Sequence, residues 1–394
     1  MHGSSIPESQ TNNAAIPPED FRKTYLDGLR GCAACVVLFA HLALALNSPL
    51  LGFFNGNAAV CVFFVLSGYV LTDLSRRSDL TFPAQALRRY IRLAGPILVT
   101  STFAWALLAL GLYRNQQAAA ALDNWWLGNW YKFDASFPSM LAESFYGVFV
   151  GGQSIYNCNL WTMRPELIGS LYLFIINATA PARGLRVLCY VALALFYVTD
   201  YMPLFSVGAL FYEFHPELAR WAQQLRDKMP VAALIAFPVV FAIGLKICLV
   251  QGSAGGRLAK LLALISDQMA ADADRYWHML GATILVAATL HWPFAQTILG
   301  SRTGRFLGKI SFVLYLIQVP IICSLTSWVF LTLAPVSVSI AAKVAALSTV
   351  AVIFAVSAAT CRFIDQAPTR LSRAAGRSMD ALLSVRLQPA DMRD

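Results

Sequence analysis

Ten apolar stretches, most near the length of about 20 residues that a helix needs to cross a hydrocarbon core about 30 Å thick, dominate this sequence of 394 residues. They fall at 29–48, 56–74, 90–112, 160–178, 185–199, 201–214, 230–250, 277–299, 308–334 and 337–361. The fifth and sixth are short, and one long helix through Asp200, Tyr201, Met202 and Pro203 is the alternative. Charge is too sparse to coat a soluble protein: 13% of residues are Asp, Glu, Lys or Arg, against about 25% in soluble domains. The chain is therefore expected to be an all-α integral membrane protein with about ten transmembrane helices.

Basic residues orient the spans. Ten spans and a cytosolic N-terminus place 22 of the 30 Lys and Arg residues in cytosolic segments and 5 on the far side. Merging spans five and six gives 13 against 14. The positive-inside bias selects ten spans with both termini cytosolic, so Asp200 and Pro203 mark a turn at the far face. Residues 1–24 read as a disordered polar arm, 25–372 as the transmembrane domain and 373–394 as a basic cytosolic tail. Neither a signal peptide nor a lipidation motif is visible at the ends. The long far-side stretch 114–159 carries Trp125, Trp126, Trp130 and Tyr131. It suits an aromatic belt with an interfacial helix, or a lid over an acceptor site.

The net charge of +9 does not point to nucleic acid, because the basic residues flank apolar runs and form no face with stacking aromatics. Cys32 and Cys35 spell C-x-x-C without the βαβ surroundings of a redox motif, and no ligand spacing suggests a metal.

Ionisable groups at membrane depth are costly and mark function. Arg30 and His41 are eleven residues apart, three turns plus about 20° of helix, so they share a face about 16 Å apart. An anion held at Arg30 would extend an arm of that length to His41; a snorkelling arginine and an unrelated core histidine are the plain alternative. Arg88, Arg89 and Arg92 share a face at the start of the third span, suited to phosphate oxygens or simply to fixing topology. Glu166 enters from the far side at a depth similar to that of His41. It would fix the imidazole tautomer and raise its basicity, unless it is a structural carboxylate satisfied by neighbouring helices.

These residues carry a resemblance. Tyr25, Leu26, Asp27, Gly28, Leu29, Arg30 and Gly31, followed by His41, resemble the first-helix signature of the membrane acyltransferase 3 family. The run Phe63, Phe64, Val65, Leu66, Ser67, Gly68, Tyr69 is similar to its second-helix motif. Arg89 with Arg92 matches its Arg-x-x-Arg pair, and Leu160, Trp161, Thr162 with Glu166 its Trp-Ser/Thr-Leu-x-x-Glu segment. Phe205 with Gly208, and Leu307 to Ser311 through Tyr315 and Leu316, look like later motifs. Together they cover about 25–372.

The resemblance implies a ten-helix domain that takes an acyl group, usually acetyl, from cytosolic acyl-CoA as co-substrate, with no bound cofactor. The acceptor would be a hydroxyl of a sugar, lipid or other small molecule. On this reading Arg30, Arg89 and Arg92 bind the CoA phosphates, and His41 is general base or transient acyl carrier, with Glu166 orienting it. Two departures stand out: Gln318 precedes Val319 and Pro320 where the family often has histidine, and Asp365 replaces the glutamate of the last motif. The rival is a proton-coupled transporter or exporter using His41 and Glu166 as a relay. The sequon at Asn177 falls at the cytosolic end of span four and is expected to be unmodified.

Overall fold

The computed structural model describes residues 18–49, 51–252 and 256–387, and among these every regular element is helical. The principal helices are α1 (Pro18–Ala45), α2 (Gly56–Arg76), α3 (Phe82–Ala109), α4 (Met163–Thr179), α5 (Arg183–Phe196), α6 (Pro203–Glu213), α7 (Pro230–Cys248), α8 (Ala273–His291), α9 (Arg302–Ile321), α10 (Val338–Cys361) and α11 (Ala367–Leu387). Of the expected polar arm, 1–17 lie outside the described residues, and the chain is helical from Pro18. The expected basic tail is helical through Leu387, as part of α11.

A helix lies at each of the ten apolar stretches, but not every one is span-length. Six helical segments among the described residues are long and apolar enough to cross a membrane: Thr24–Ala45, Gly56–Arg76, Phe82–Ala109, Pro230–Cys248, Arg302–Leu333 and Val338–Leu383. α8 and the short helix Pro293–Leu299, bent by 94°, together make a seventh candidate. α4, α5 and α6 run to 17, 14 and 11 residues. At about 1.5 Å per residue, α6 spans barely half a hydrocarbon core. The break between α5 and α6 is real: Pro203 opens α6, and Asp200 caps the turn through its side chain, accepting from the Tyr201 N–H at 2.5 Å. The two helices are clamped by Arg186, whose Nε and Nη2 donate to the two Glu213 carboxylate oxygens at 2.6 and 3.0 Å.

Close helix approach sets the registers. A Cβ on Gly31 would lie 2.6 Å from the Gly308 nitrogen, and one on Gly308 2.5 Å from the Asp27 carbonyl oxygen. Only glycine lets α1 and α9 run side by side at this distance. They are parallel, so ten residues beyond that contact, about 15 Å along both axes, His41 of α1 meets Gln318 of α9. α2 and α6 cross in the same way at Gly68 and Gly208.

Pro320 interrupts α9. Proline has no N–H, so the carbonyl four residues back, on Leu316, loses its helical donor. Asn157 Nδ2 replaces that donor at 2.6 Å, and Asn159 Nδ2 donates to the Tyr315 carbonyl at 2.6 Å. The loop that carries Asn157 and Asn159 is thereby threaded into the bundle beside the broken helix.

Candidate active site

A cavity of about 250 Å³ opens between α1, α2, α3, α4 and α9. Its polar wall carries Arg30, Ser67, Arg89, Arg92, Glu166 and Ser311. Four of the five predicted site residues, Arg30, Arg89, Arg92 and Glu166, are thus brought to one space. His41 is not among its lining residues.

Glu166 stands near the start of α4 and is almost fully enclosed. Ser67 Oγ donates to Oε1 at 2.8 Å and Arg89 Nη2 to Oε2 at 2.5 Å. Arg89 Nε donates to Ser170 Oγ at 2.7 Å, and Ser170 Oγ donates in turn to the Glu166 carbonyl at 2.5 Å. Spacing of four residues places Ser170 under Glu166 on the same helix face, so one guanidinium fastens the carboxylate and the backbone beneath it. The expected pairing of Glu166 with His41 does not occur, because both carboxylate oxygens are engaged by α2 and α3. Similar depth in the membrane did not mean adjacency.

The other arginines differ in their freedom. Arg92 forms an ion pair with Asp365, also donates to its carbonyl at 3.2 Å, and lies over the Phe312 ring at 5.7 Å. Asp365, which stands where the family's last motif has glutamate, is therefore the counter-ion of a cavity-wall arginine. Arg30 donates from Nε to Ser311 Oγ at 3.3 Å and pairs with Asp27 at 3.1 Å, with 44% of its side chain exposed. An exposed pair of this kind holds its charge loosely. Of the three arginines assigned to phosphate, Arg30 alone keeps a solvent-facing, weakly paired guanidinium.

The inner end of the cavity is closed by Tyr315 and Thr162, whose hydroxyls are 3.0 Å apart. The Tyr315 hydroxyl also donates to the Asn159 carbonyl at 3.1 Å. One turn further along α9, Gln318 Nε2 donates to the Tyr315 carbonyl at 3.1 Å. Gln318 is fully buried and is a polar neighbour of the His41 ring. The two are not in strict hydrogen-bond geometry, and His41 Nδ1 and Gln318 Oε1 both lack a partner.

His41 is covered by the segment that carries Trp126. Its ring stacks on Trp126 with centroids 5.4 Å apart and planes at 28°, and Trp126 meets Trp130 edge-on at 5.9 Å. The Trp130 Nε1 is a third buried polar atom without a partner. Asn124 holds this covering segment in place: its Nδ2 donates to the Leu44 and Ala45 carbonyls at the end of α1, at 2.6 and 3.3 Å, while its Oδ1 accepts from the Leu127 N–H at 2.8 Å. One amide thus satisfies orphan carbonyls of α1 and starts the turn that carries Trp126. Further along, Glu143 accepts from the Tyr156 and Ile155 N–H groups. Burial nevertheless dominates and pushes its carboxyl above the ordinary range, against the pull of those donors.

Spacing within single helices pointed to Arg30, His41, Arg89, Arg92 and Glu166. In the sequence Thr162 and Ser311 are motif positions without a role, and Ser170 and Asn159 are not singled out, because the contacts that place them come from other helices. His278 has the packing role its position suggests, 2.8 Å from Asn55 Nδ2 and from the Val250 carbonyl. Among the described residues no three His, Cys, Asp or Glu side chains group as metal ligands.

A family profile described as an acyltransferase domain matches residues 23–361. The chain is similar to acyltransferase clz18 of Cochliobolus lunatus, at 25% identity over 80% of this chain and 87% of the relative. It is similar at 23% to acyltransferase R4 of a Phoma species, over 79% and 86%. A third relative, O-acetyltransferase PaAT-1 of Phomopsis amygdali, is 25% identical over 77% of this chain and 72% of its own length. No solved structure matches the chain.

Proposed function

The chain belongs to the acyltransferase domain family, and from that premise we propose that it moves an acyl group, in the first instance acetyl, from acyl-CoA to a hydroxyl of a small-molecule, lipid or sugar acceptor. We place it in the membrane as a multi-pass protein of about ten spans with both termini cytosolic. The charge distribution supports that topology, as does the parallel course of α1 and α9, since parallel spans need an odd number of crossings between them and the ten-span reading supplies seven.

The observation that carries the reading is the polar ladder between α1 and α9. Arg30 faces Ser311 at the outer end of the cavity, and His41 stands beside Gln318 one helical turn beyond the Tyr315 and Thr162 pair that closes the inner end. A pantetheine arm held by its phosphates near Arg30 has about the length of that ladder, roughly 16 Å. At its tip, His41 takes the proton of the acceptor hydroxyl while the hydroxyl oxygen attacks the thioester carbonyl. The new C–O bond forms, the C–S bond breaks, and CoA leaves as a thiolate that recovers the proton. If His41 instead accepts the acyl group first, the same bonds change in two steps. Glu166, fastened by Arg89 and Ser67, gives the cavity wall a fixed polar face along the path of the arm.

The test is direct. Protein purified in detergent is incubated with radiolabelled acetyl-CoA and a panel of hydroxylated acceptors, and acetate and ester products are counted. Acetyl transfer or thioester cleavage that depends on His41 supports the reading. A protein that binds acetyl-CoA and moves solutes yet leaves the thioester intact would instead be a transporter.

A further inference from the structure

Two of the arginines assigned to the donor phosphates, Arg89 and Arg92, are already neutralised by Glu166 and Asp365. A nucleotide carrying several phosphate charges needs positive groups that are not so engaged. The described residues hold such a group just outside the cavity.

α11 packs antiparallel along the first half of α3. Pro368 sits against Gly95, Gly376 against Arg88 and Ala84, and Asp380 accepts from the Thr81 N–H at 2.8 Å. A Cβ on Gly376 would lie 3.3 Å from both the Arg88 Cβ and the Ala84 carbonyl oxygen, so glycine permits the contact. Arg370, Arg373 and Arg377 follow one another at spacings of three and four, which puts them on one face of α11. Arg373 and Arg377 bracket Gly376 and fall within electrostatic reach of Arg88, which in turn lies within reach of Arg92 on the cavity wall. Among the described residues Arg88, Arg373 and Arg377 have neither a hydrogen bond nor an ion pair. Asp380, three residues after Arg377 on α11, is engaged by the Thr81 backbone and forms no ion pair with the arginines. Three like charges gathered without a paired acid repel one another, and the packing of α11 on α3 keeps them together.

We propose that Arg88, Arg373 and Arg377 form a phosphate clamp at the mouth of the cavity, built jointly by α3 and α11. It binds phosphate esters through charge-assisted hydrogen bonds, which arginine makes in pairs to phosphate oxygens. As the source of the phosphate the clamp suits the nucleotide end of acyl-CoA, and in this form the inference rests on the proposed function. An anionic lipid headgroup supplies the same chemistry.

The experiment uses the full chain. Arg373→Ala/Arg377→Ala and Arg88→Ala are purified in detergent beside the parent protein, with helicity and thermal unfolding checked first. Because the three side chains make no hydrogen bond or ion pair among the described residues, and Arg88→Ala keeps the Cβ beside Gly376, the variants should fold normally. Calorimetric titration with CoA and with 3′-dephospho-CoA then reads the nucleotide arm. The parent should prefer CoA, with the preference falling as salt rises. The double variant should bind CoA about tenfold more weakly, the scale of losing two partly exposed charge-assisted contacts, and should lose the preference. The lipid arm compares retention of phosphatidylserine over phosphatidylcholine by parent and variants extracted from mixed vesicles. A variant that binds CoA normally but loses this enrichment identifies the headgroup as the source. Unchanged binding in both arms overturns the clamp. A parent protein that does not bind CoA refutes the proposed function instead, and the lipid arm still decides the clamp.

Discussion

The two ends of the α1–α9 ladder are built on opposite principles. At the cavity wall every ionised group outside the exposed Arg30–Asp27 pair is tightly matched: Glu166 accepts from Ser67 and Arg89, and Arg92 holds Asp365. Around His41 the polar atoms are left unmatched, with His41 Nδ1, Gln318 Oε1 and Trp130 Nε1 buried and unpartnered beneath a stacked tryptophan. A saturated network is rigid and cannot take on a further partner without losing one. An unsaturated one costs stability and waits for a ligand. The wall is therefore scaffold as much as site, and the proposed chemistry is assigned to the end where hydrogen-bonding capacity is free.

Breaking the saturated end should have the largest effect. Glu166→Ala leaves the Arg89 guanidinium enclosed without its counter-ion, a change worth about 3–5 kcal/mol. Thermal unfolding in detergent should register it as a large drop in Tm. Replacing both residues, as Arg89→Leu/Glu166→Leu, should recover most of that loss, since no charge is stranded. Equal instability of single and double variants would mean that the pair itself, and not the stranded charge, holds the helices.

The unsaturated end should respond in the other direction. His41→Gln keeps the shape and a donor but cannot take a proton at neutral pH. It should lower kcat at least about 10²-fold with Tm near that of the parent. Transfer at the parent rate by a folded His41→Gln protein would remove His41 from the chemistry altogether.

A smaller effect is expected one residue away. Gln318→Leu removes a single hydrogen bond to the Tyr315 carbonyl and also an unpaired buried oxygen, so stability should move by less than about 1 kcal/mol. Acetyl transfer should fall about tenfold, because Gln318 Oε1 is the free acceptor nearest the His41 ring. A Tm loss comparable to that of Glu166→Ala would place Gln318 with the scaffold instead. The smallest expected signal is at the sequon: Asn177 Oδ1 accepts from the Tyr190 hydroxyl at 3.0 Å. Glycosidase treatment after eukaryotic expression should produce no mass shift, and a glycan at Asn177 would invert the topology.

Much of this comparison was legible in part. The helix positions, the break at Pro203 and the shared face of Arg30 and His41 follow from local periodicity and from proline chemistry, which act within a few residues. The span count was less legible, because α4, α5 and α6 are apolar enough to read as spans but, at 17, 14 and 11 residues, lie at or below the usual span length. Glu166 was recognisable as a buried acid, yet its partner was not.

What the sequence by itself determined is which segments are helical, which faces carry arginine or histidine, and how deep each polar group lies along its own axis. The tertiary structure alone decided who meets whom. Arg89 and Glu166 are 77 residues apart, and Arg92 and Asp365 are separated by 273. Those meetings depend on helix order and on axial register, which the Gly31–Gly308 contact sets for α1 and α9. An apolar period of 3.6 residues is a property of one helix. A partner is a property of two, and the energy that chooses it comes from packing between them.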